Sequence, residues 1–138
     1  MPGAGGAAYG KRMALTPGLG GSVTISVEES DTALAIRSGD VPVLATPRVV
    51  ALAEQAAVEA VADALPPGTT TVGYEVQLTH LAPSLVGAKV TADVVLEGVE
   101  GRRLVFRVSV TDANGLVAVG RITRVVVQRA RFLERAKG

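Results

Sequence analysis

The sequence predicts an α+β domain in which one long helix packs against an antiparallel sheet. One segment, residues 46–65, has the apolar periodicity of a helix, and the segments after it alternate between apolar and polar residues as strands do. Asn114-Gly115 joins two of these alternating segments, and this dipeptide is a strong signal for a two-residue hairpin. The predicted order is therefore one strand, the helix and a four-stranded antiparallel meander.

The elements follow from local signals. The first strand is predicted at residues 22–30. Thr46 is a favourable helix N-cap and Pro47 suits the first helical position, while Pro66-Pro67-Gly68 stops the helix. The strands predicted after that stop are residues 69–81, 87–98, 101–113 and 116–128, after which the tail should leave the sheet.

The 138 residues fit a single domain, because 48% are hydrophobic and 20% are charged, which is typical of a globular chain. The predicted parts are a loosely ordered N-terminal segment (1–21), the domain itself (22–132) and a basic C-terminal tail (133–138). The apolar strands are more numerous than one helix can cover, so a dimer is expected.

The composition excludes several classes of function. A net charge of +1 gives no strong electrostatic case for binding nucleic acid or a membrane surface. The chain has no cysteine and one histidine, which argues against a metal site, and no cofactor is predicted. No apolar run approaches the roughly 20 residues of a membrane helix, and the N-terminus lacks a signal-peptide core, so we expect a cytoplasmic protein.

Glu54 is predicted to lie on the apolar face of the helix. At about 100° per residue, four apolar residues lie within about 60° of it: Val50, Ala57, Val58 and Val61. Burying an ionised carboxylate without a partner is costly, so Glu54 indicates a lined site. The alternative is a slightly rotated helix in which Glu54 reaches solvent or pairs with an arginine, and the pattern alone does not separate the two.

His80 falls on the apolar parity of the next strand, together with Val72, Val76 and Leu78. For an isolated histidine, a core residue bonded to a backbone carbonyl is the more common explanation. Gly73 interrupts the strand as a bulge, a kink or a place where another group approaches the backbone closely.

Thr46 is explained by capping alone, but the start of a helix also presents amide donors and partial positive charge. A substrate carbonyl placed there would find oxyanion donors. Glu54 lies two turns further on roughly the same face, so Thr46 and Glu54 can border one cleft.

Four segments, ATPRVVALAEQAAVEAV, GYEVQLTHLAPSLVG, VEGRRLVFRVSVTD and ITR, together resemble the fluoroacetyl-CoA thioesterase family of hot-dog-fold enzymes. The resemblance runs from about Gly20 to Phe132. It implies a hot-dog fold, with a long central helix wrapped by an antiparallel sheet. It also implies a homodimer with active sites at the subunit interface and coenzyme A thioesters as substrates.

The family's catalytic Thr, Glu and His fall on Thr46, Glu54 and His80, its active-site glycine on Gly73 and its functional arginine on Arg124. The resemblance implies that the threonine polarises the thioester carbonyl and that the glutamate activates water or attacks directly. The histidine then stabilises charge and passes a proton to the leaving thiolate. The arginine orients the glutamate or contacts the coenzyme, although a solvated strand residue is the alternative.

The chain departs from the family before the threonine, in the segment IRSGDVPVLAT. Arg37, Asp40 and Leu44 stand where the fluoroacetyl-specific enzyme has gating aromatics. The resemblance therefore implies an acyl-CoA thioesterase for a small acyl group, without fluoroacetyl specificity. The alternatives are a hot-dog acyl-CoA hydratase or dehydratase and a non-catalytic acyl-CoA-binding protein.

Overall fold

The computed structural model describes residues 14–138 and contains all five predicted strands and the long helix. The strands are β1 (Gly20–Ser26), β2 (Thr69–His80), β3 (Lys89–Glu100), β4 (Arg103–Asp112) and β5 (Gly115–Gln128). The helices are α1 (Ala33–Ile36), α2 (Thr46–Val61) and α3 (Arg129–Ala136), and short 3-10 turns occupy Glu29–Asp31 and Ala62–Ala64.

The sheet is antiparallel, but the predicted four-stranded meander is wrong. Its strand order is β1-β3-β4-β5-β2, so only β3, β4 and β5 follow one another as hairpins. β2 pairs with β5 at one edge of the sheet, and β1 pairs with β3 at the other. The eight-residue connection 81–88 is long enough to carry the chain past two strands, whereas the connections after β3 and β4 are tight turns.

The core lies between α2 and one face of the sheet. It is built from aliphatic residues and one aromatic ring, Phe106, which is fully buried. The helix approaches β1 very closely, because a Cβ atom added to Gly21 would lie 2.2 Å from the carbonyl oxygen of Ala56. Alanines rather than valines therefore face this strand.

This close approach explains why α2 is rotated from its predicted orientation. Its buried residues are Val49, Leu52, Ala53, Ala56, Ala57 and Val61. Val58, predicted to be buried, is 44% exposed, and Glu54 lies at the flank of the buried face rather than in its middle. The rotated-helix alternative is the one that the structure adopts.

The start of α2 also differs from the prediction. Ala45 is the N-cap and makes no side-chain capping bond, and Thr46 is the first helical residue. Asp31 holds this end instead: its carbonyl accepts from the Ala45 N–H at 2.9 Å. Its carboxylate accepts from Arg48 Nε and from the Glu28 N–H, both at 2.8 Å.

At both ends of the described chain the structure differs from the predicted division into parts. β1 begins at Gly20, inside the segment expected to be loosely ordered, and residues 1–13 of that segment lie outside the described residues. The tail leaves the sheet after residue 128 as predicted, but it forms α3, which was not predicted. Within residues 14–138 no helix is long and apolar enough to cross a membrane.

Asp31 should make stability depend on pH. Burial raises its pKa, but the Glu28 N–H and the hydrogen bond and charge of Arg48 together hold it below the ordinary 3.8. A carboxyl group with a lowered folded pKa stabilises the fold above its unfolded pKa, and this contribution is lost as pH falls through the folded pKa. We expect Asp31→Asn to lower the free energy of unfolding by about 1–2 kcal/mol at pH 7 and by much less near pH 3.

Urea denaturation at both pH values measures this difference. Asp63→Asn, the same change at an exposed position, serves as the control and should have little effect at either pH. An equal loss for Asp31→Asn at both pH values would contradict a role for the carboxylate charge.

Candidate functional site

Thr46 and His80 form a hydrogen-bonded pair where α2 begins and β2 ends. Thr46 Oγ1 lies 2.7 Å from His80 Nδ1, and the tautomer of the ring decides which atom donates. The other ring nitrogen, Nε2, is buried and has no hydrogen-bond partner within the described chain. Because an unpaired buried polar atom costs about 1–3 kcal/mol, Nε2 indicates a position prepared for a ligand group.

A cavity of about 320 Å³ adjoins this pair, which is near the lower end of the range for small-molecule sites. Leu44 lines the cavity, whereas Arg37 and Asp40 do not. Apart from Thr46 and His80, the lining side chains are mostly small or aliphatic: Ala33, Ser38, Gly39, Val41, Val43, Leu44, Leu81, Ala82 and Pro83. The cavity therefore suits a small uncharged group.

The start of the helix offers fewer amide donors than expected. Pro47 has no N–H, and the N–H groups of Arg48 and Val49 donate to the Ala45 carbonyl at 3.0 and 3.1 Å. The Thr46 hydroxyl is therefore the polar group of this turn that lies against the cavity.

Glu54 belongs to a second cluster, built around Arg124. Arg124 Nη1 donates to Glu54 Oε2 at 3.0 Å, while its Nε and Nη2 donate to the hydroxyl and carbonyl oxygens of Thr71, both at 2.9 Å. Arg124 is only 8% exposed, so it is not a solvated strand residue. Burial lowers its pKa, and the charge and hydrogen bond of Glu54 oppose that change.

Gly73 permits this arrangement. A Cβ atom there would lie 2.7 Å from Glu54 Oε2 and 3.7 Å from Arg124 Nη1. Gly73 pairs with Arg124 and Glu75 pairs with Thr123, which leaves Tyr74 as the bulged residue. The bulge and the close approach, two of the interpretations offered for Gly73, are both confirmed.

The bulge also changes which residues of β2 face the helix. Odd-numbered residues, including Thr71 and Gly73, face α2 before it, and even-numbered residues, including Leu78 and His80, face α2 after it. Alternation alone placed Gly73 and His80 on opposite faces and gave no role to Thr71. The signal for both corrections was the glycine in the interior of the strand.

The five predicted residues thus form two clusters within the chain. Thr46 and His80 lie at the start of α2, and Glu54 lies eight residues along the helix, which is about 12 Å along its axis. Glu54 does not line the cavity beside His80. Among residues 14–138 no hydrogen bond joins the two clusters.

The family model described as FlK, fluoroacetyl-CoA-specific thioesterase, matches residues 27–130. A fluoroacetyl-CoA thioesterase from Streptantibioticus cattleyicolor is 39% identical over 90 residues, and this match spans 65% of this chain and 65% of that relative.

Solved structures agree with the family match. A structure of the fluoroacetyl-CoA thioesterase FlK superposes with a TM-score of 0.86 at 29% identity, covering 91% of this chain and 97% of that one. A hot-dog-like protein from Thermanaerovibrio acidaminovorans gives 0.80 at 32% identity, covering 87% and 89%. These matches confirm the predicted hot-dog fold.

Proposed function

This chain belongs to the fluoroacetyl-CoA-specific thioesterase family, and from that premise we propose that it is a homodimeric acyl-CoA thioesterase acting on small acyl groups. The observation that carries the proposal is the Thr46–His80 pair beside an aliphatic cavity, with His80 Nε2 left without a partner in the described chain. A thioester carbonyl and its sulfur are groups that such a pair can polarise and protonate.

The homodimer rests on the exposed edge of β2. Within residues 14–138 this strand pairs only with β5, and in its middle Tyr74 and Val76 are 56% and 43% exposed. An edge strand of this kind readily adds a further strand. Two copies of β2 would pair antiparallel about a two-fold axis and extend the sheet across both subunits.

That pairing would complete the site. If the axis passes through Gln77, Thr79 of one copy lies opposite Glu75 of the other. The extra residue at the Tyr74 bulge then places His80 opposite Gly73. The Thr46–His80 pair then meets the Glu54–Arg124 cluster of the second copy. Each of the two sites would take residues from both chains.

The proposed reaction is hydrolysis of the C–S bond of the thioester. Thr46 Oγ1 polarises the carbonyl, and Glu54, oriented by Arg124, either takes a proton from the attacking water or attacks the carbonyl carbon itself. His80 delivers a proton to the departing thiolate. Both routes consume one water and release the free acid and coenzyme A.

Glu54→Gln should remove catalysis and leave the fold intact. We expect kcat to fall about 10²–10⁴-fold, because glutamine can act neither as a base nor as a carboxylate nucleophile. Stability should change by about 1 kcal/mol or less, since the amide oxygen can still accept the Arg124 Nη1 hydrogen bond. Hydrolysis of acetyl-CoA and urea denaturation measure the two quantities.

Glu59→Gln is the matched control, because Glu59 lies on the exposed face of the same helix, and it should retain full activity. His80→Ala should lose activity and also some stability, because it vacates volume against the core. An active but strongly destabilised Glu54→Gln variant would make Glu54 a structural ion-pair partner instead.

A site shared between chains predicts complementation. In a heterodimer of His80→Ala and Glu54→Gln chains, one site combines both defects and the other combines both intact residues. If the two chains mix randomly, half the dimers are mixed and each holds one active site. Activity should therefore return to about a quarter of the wild-type value per chain, by the symmetry of a two-fold dimer.

Light scattering should first give a dimer mass for each variant, and the activity of a refolded equimolar mixture is then measured. A self-mixture of each single variant is the control and should stay inactive. A stable dimer whose mixture shows no activity would place the whole site within one chain.

The aliphatic cavity predicts weak selection for fluorine. Fluorine and hydrogen differ little in size, and an apolar pocket discriminates poorly between such close analogues. To correct for intrinsic reactivity, each kcat/KM value is divided by the rate constant for hydrolysis of the same ester by hydroxide. We expect the corrected values for fluoroacetyl-CoA and acetyl-CoA to agree within about tenfold. A much larger ratio would show that selection for fluorine does not need aromatic residues.

A further inference from the structure

A second concave region lies on the face of the sheet away from α2, where α3 packs beside the ends of β2, β4 and β5. Two adjoining cavities of about 470 and 190 Å³ share Arg102, Val127, Phe132 and Arg135. We call this region the arginine groove and define it by Tyr74, Arg102, Arg103, Arg131, Phe132 and Arg135.

The arginine groove is strongly cationic although the whole chain carries a net charge of only +1. Of the residues that the structure describes, four arginines line it against a single carboxylate, that of Glu100. Arg102, Arg131 and Arg135 are exposed, and within residues 14–138 none of the three forms an ion pair. Their guanidinium groups are therefore free to bind an anion, and guanidinium groups match phosphate oxygens in geometry.

Two aromatic rings accompany these charges. Arg103 lies 4.6 Å from the centre of the Tyr74 ring and donates to the Tyr74 hydroxyl at 2.9 Å. Phe132, one of only two phenylalanines in the chain, is half-buried and lines both cavities. A flat ring beside guanidinium groups is the combination that binds a base and its phosphates together.

The arginine groove meets the Glu54–Arg124 cluster at Gly73. This residue lines the larger cavity, and on its other side it contacts Glu54. In the dimer described above, the shared strand pairing ends here, because the opposite residue, His80, is the last residue of β2. A flexible arm could pass the sheet edge at this point.

From these observations we propose that the arginine groove binds the nucleotide end of coenzyme A. The phosphates contact Arg102, Arg131 and Arg135, the adenine packs on Phe132, and the pantetheine arm passes Gly73 to reach Glu54. This inference rests on the proposed function, because it requires a coenzyme A thioester as substrate.

The test compares two substrates that share the thioester and differ in the nucleotide. For the Arg102→Ala/Arg135→Ala double variant, KM for acetyl-CoA should rise about 10–100-fold with kcat nearly unchanged, as expected for two lost hydrogen bonds of ordinary strength at exposed side chains. For S-acetyl-N-acetylcysteamine, which has no nucleotide, kcat/KM should stay at the wild-type value. Adenosine 3′,5′-bisphosphate should compete with acetyl-CoA and should not inhibit hydrolysis of the short ester.

Arg107→Ala/Arg121→Ala is the matched control, because both arginines lie on the same face of the sheet and pair with Glu97 instead. It should leave KM for both substrates unchanged. Equal losses on the two substrates, or no change with acetyl-CoA, would overturn the proposal.

Calorimetry separates this proposal from the proposed function. If the wild-type protein hydrolyses neither ester, the thioesterase proposal fails, and titration with coenzyme A then tests the groove by itself. Binding that weakens in the Arg102→Ala/Arg135→Ala variant and not in the control supports the groove. Binding that is absent, or equal in both variants, overturns it.

Discussion

The contact between Glu54 and Gly73 is the constraint on which the site depends. The carboxylate of Glu54 occupies the space that a side chain at position 73 would fill, so the carboxylate can keep this position only beside a glycine. The next residue, Tyr74, is bulged. The bulge changes which residues of β2 face α2, so that His80, seven residues after Gly73, points towards Thr46. One missing side chain thus sets the position of both clusters.

Arg124 holds this contact in place rather than simply adding stability. Arg124 donates two hydrogen bonds to Thr71 and one to Glu54. The two bonds to Thr71 fix the plane of the guanidinium group, and this fixed plane orients the Glu54 carboxylate. A buried ion pair often contributes little net stability, because desolvation offsets the attraction. The more informative consequence is that the Glu54 carboxylate has a defined orientation at the edge of the sheet.

Sequence patterns predicted the helix, the five strands and the α+β class, and they singled out Thr46, Glu54 and His80. The family resemblance added Arg124 and the active-site role of Gly73, whereas Thr71 was missed. Sequence patterns failed where the outcome depends on contacts between distant segments. The rotation of α2 depends on Gly21 meeting Ala56, and the pairing of β2 with β5 depends on the path of the connection 81–88. The N-cap assignment failed because Asp31 supplies the tertiary bonds that Thr46 was expected to supply locally. Helix α3 is too short for its sequence to show a clear helical periodicity. The arginine groove combines residues from several elements, so no local pattern indicates it.

The spacing of the two clusters gives a physical reason for a second subunit. Eight residues of helix separate Thr46 from Glu54 by about 12 Å along the axis, whereas reacting groups must come within about 3–3.5 Å of each other. One chain therefore holds its acid beside Gly73 and its histidine seven residues further along β2. In the proposed dimer, antiparallel pairing of β2 with its own copy would reverse that strand and bring Gly73 of each chain against His80 of the other. In that dimer, the free edge of β2 would join two incomplete half-sites into two complete ones, and the same backbone hydrogen bonds would control both assembly and catalysis.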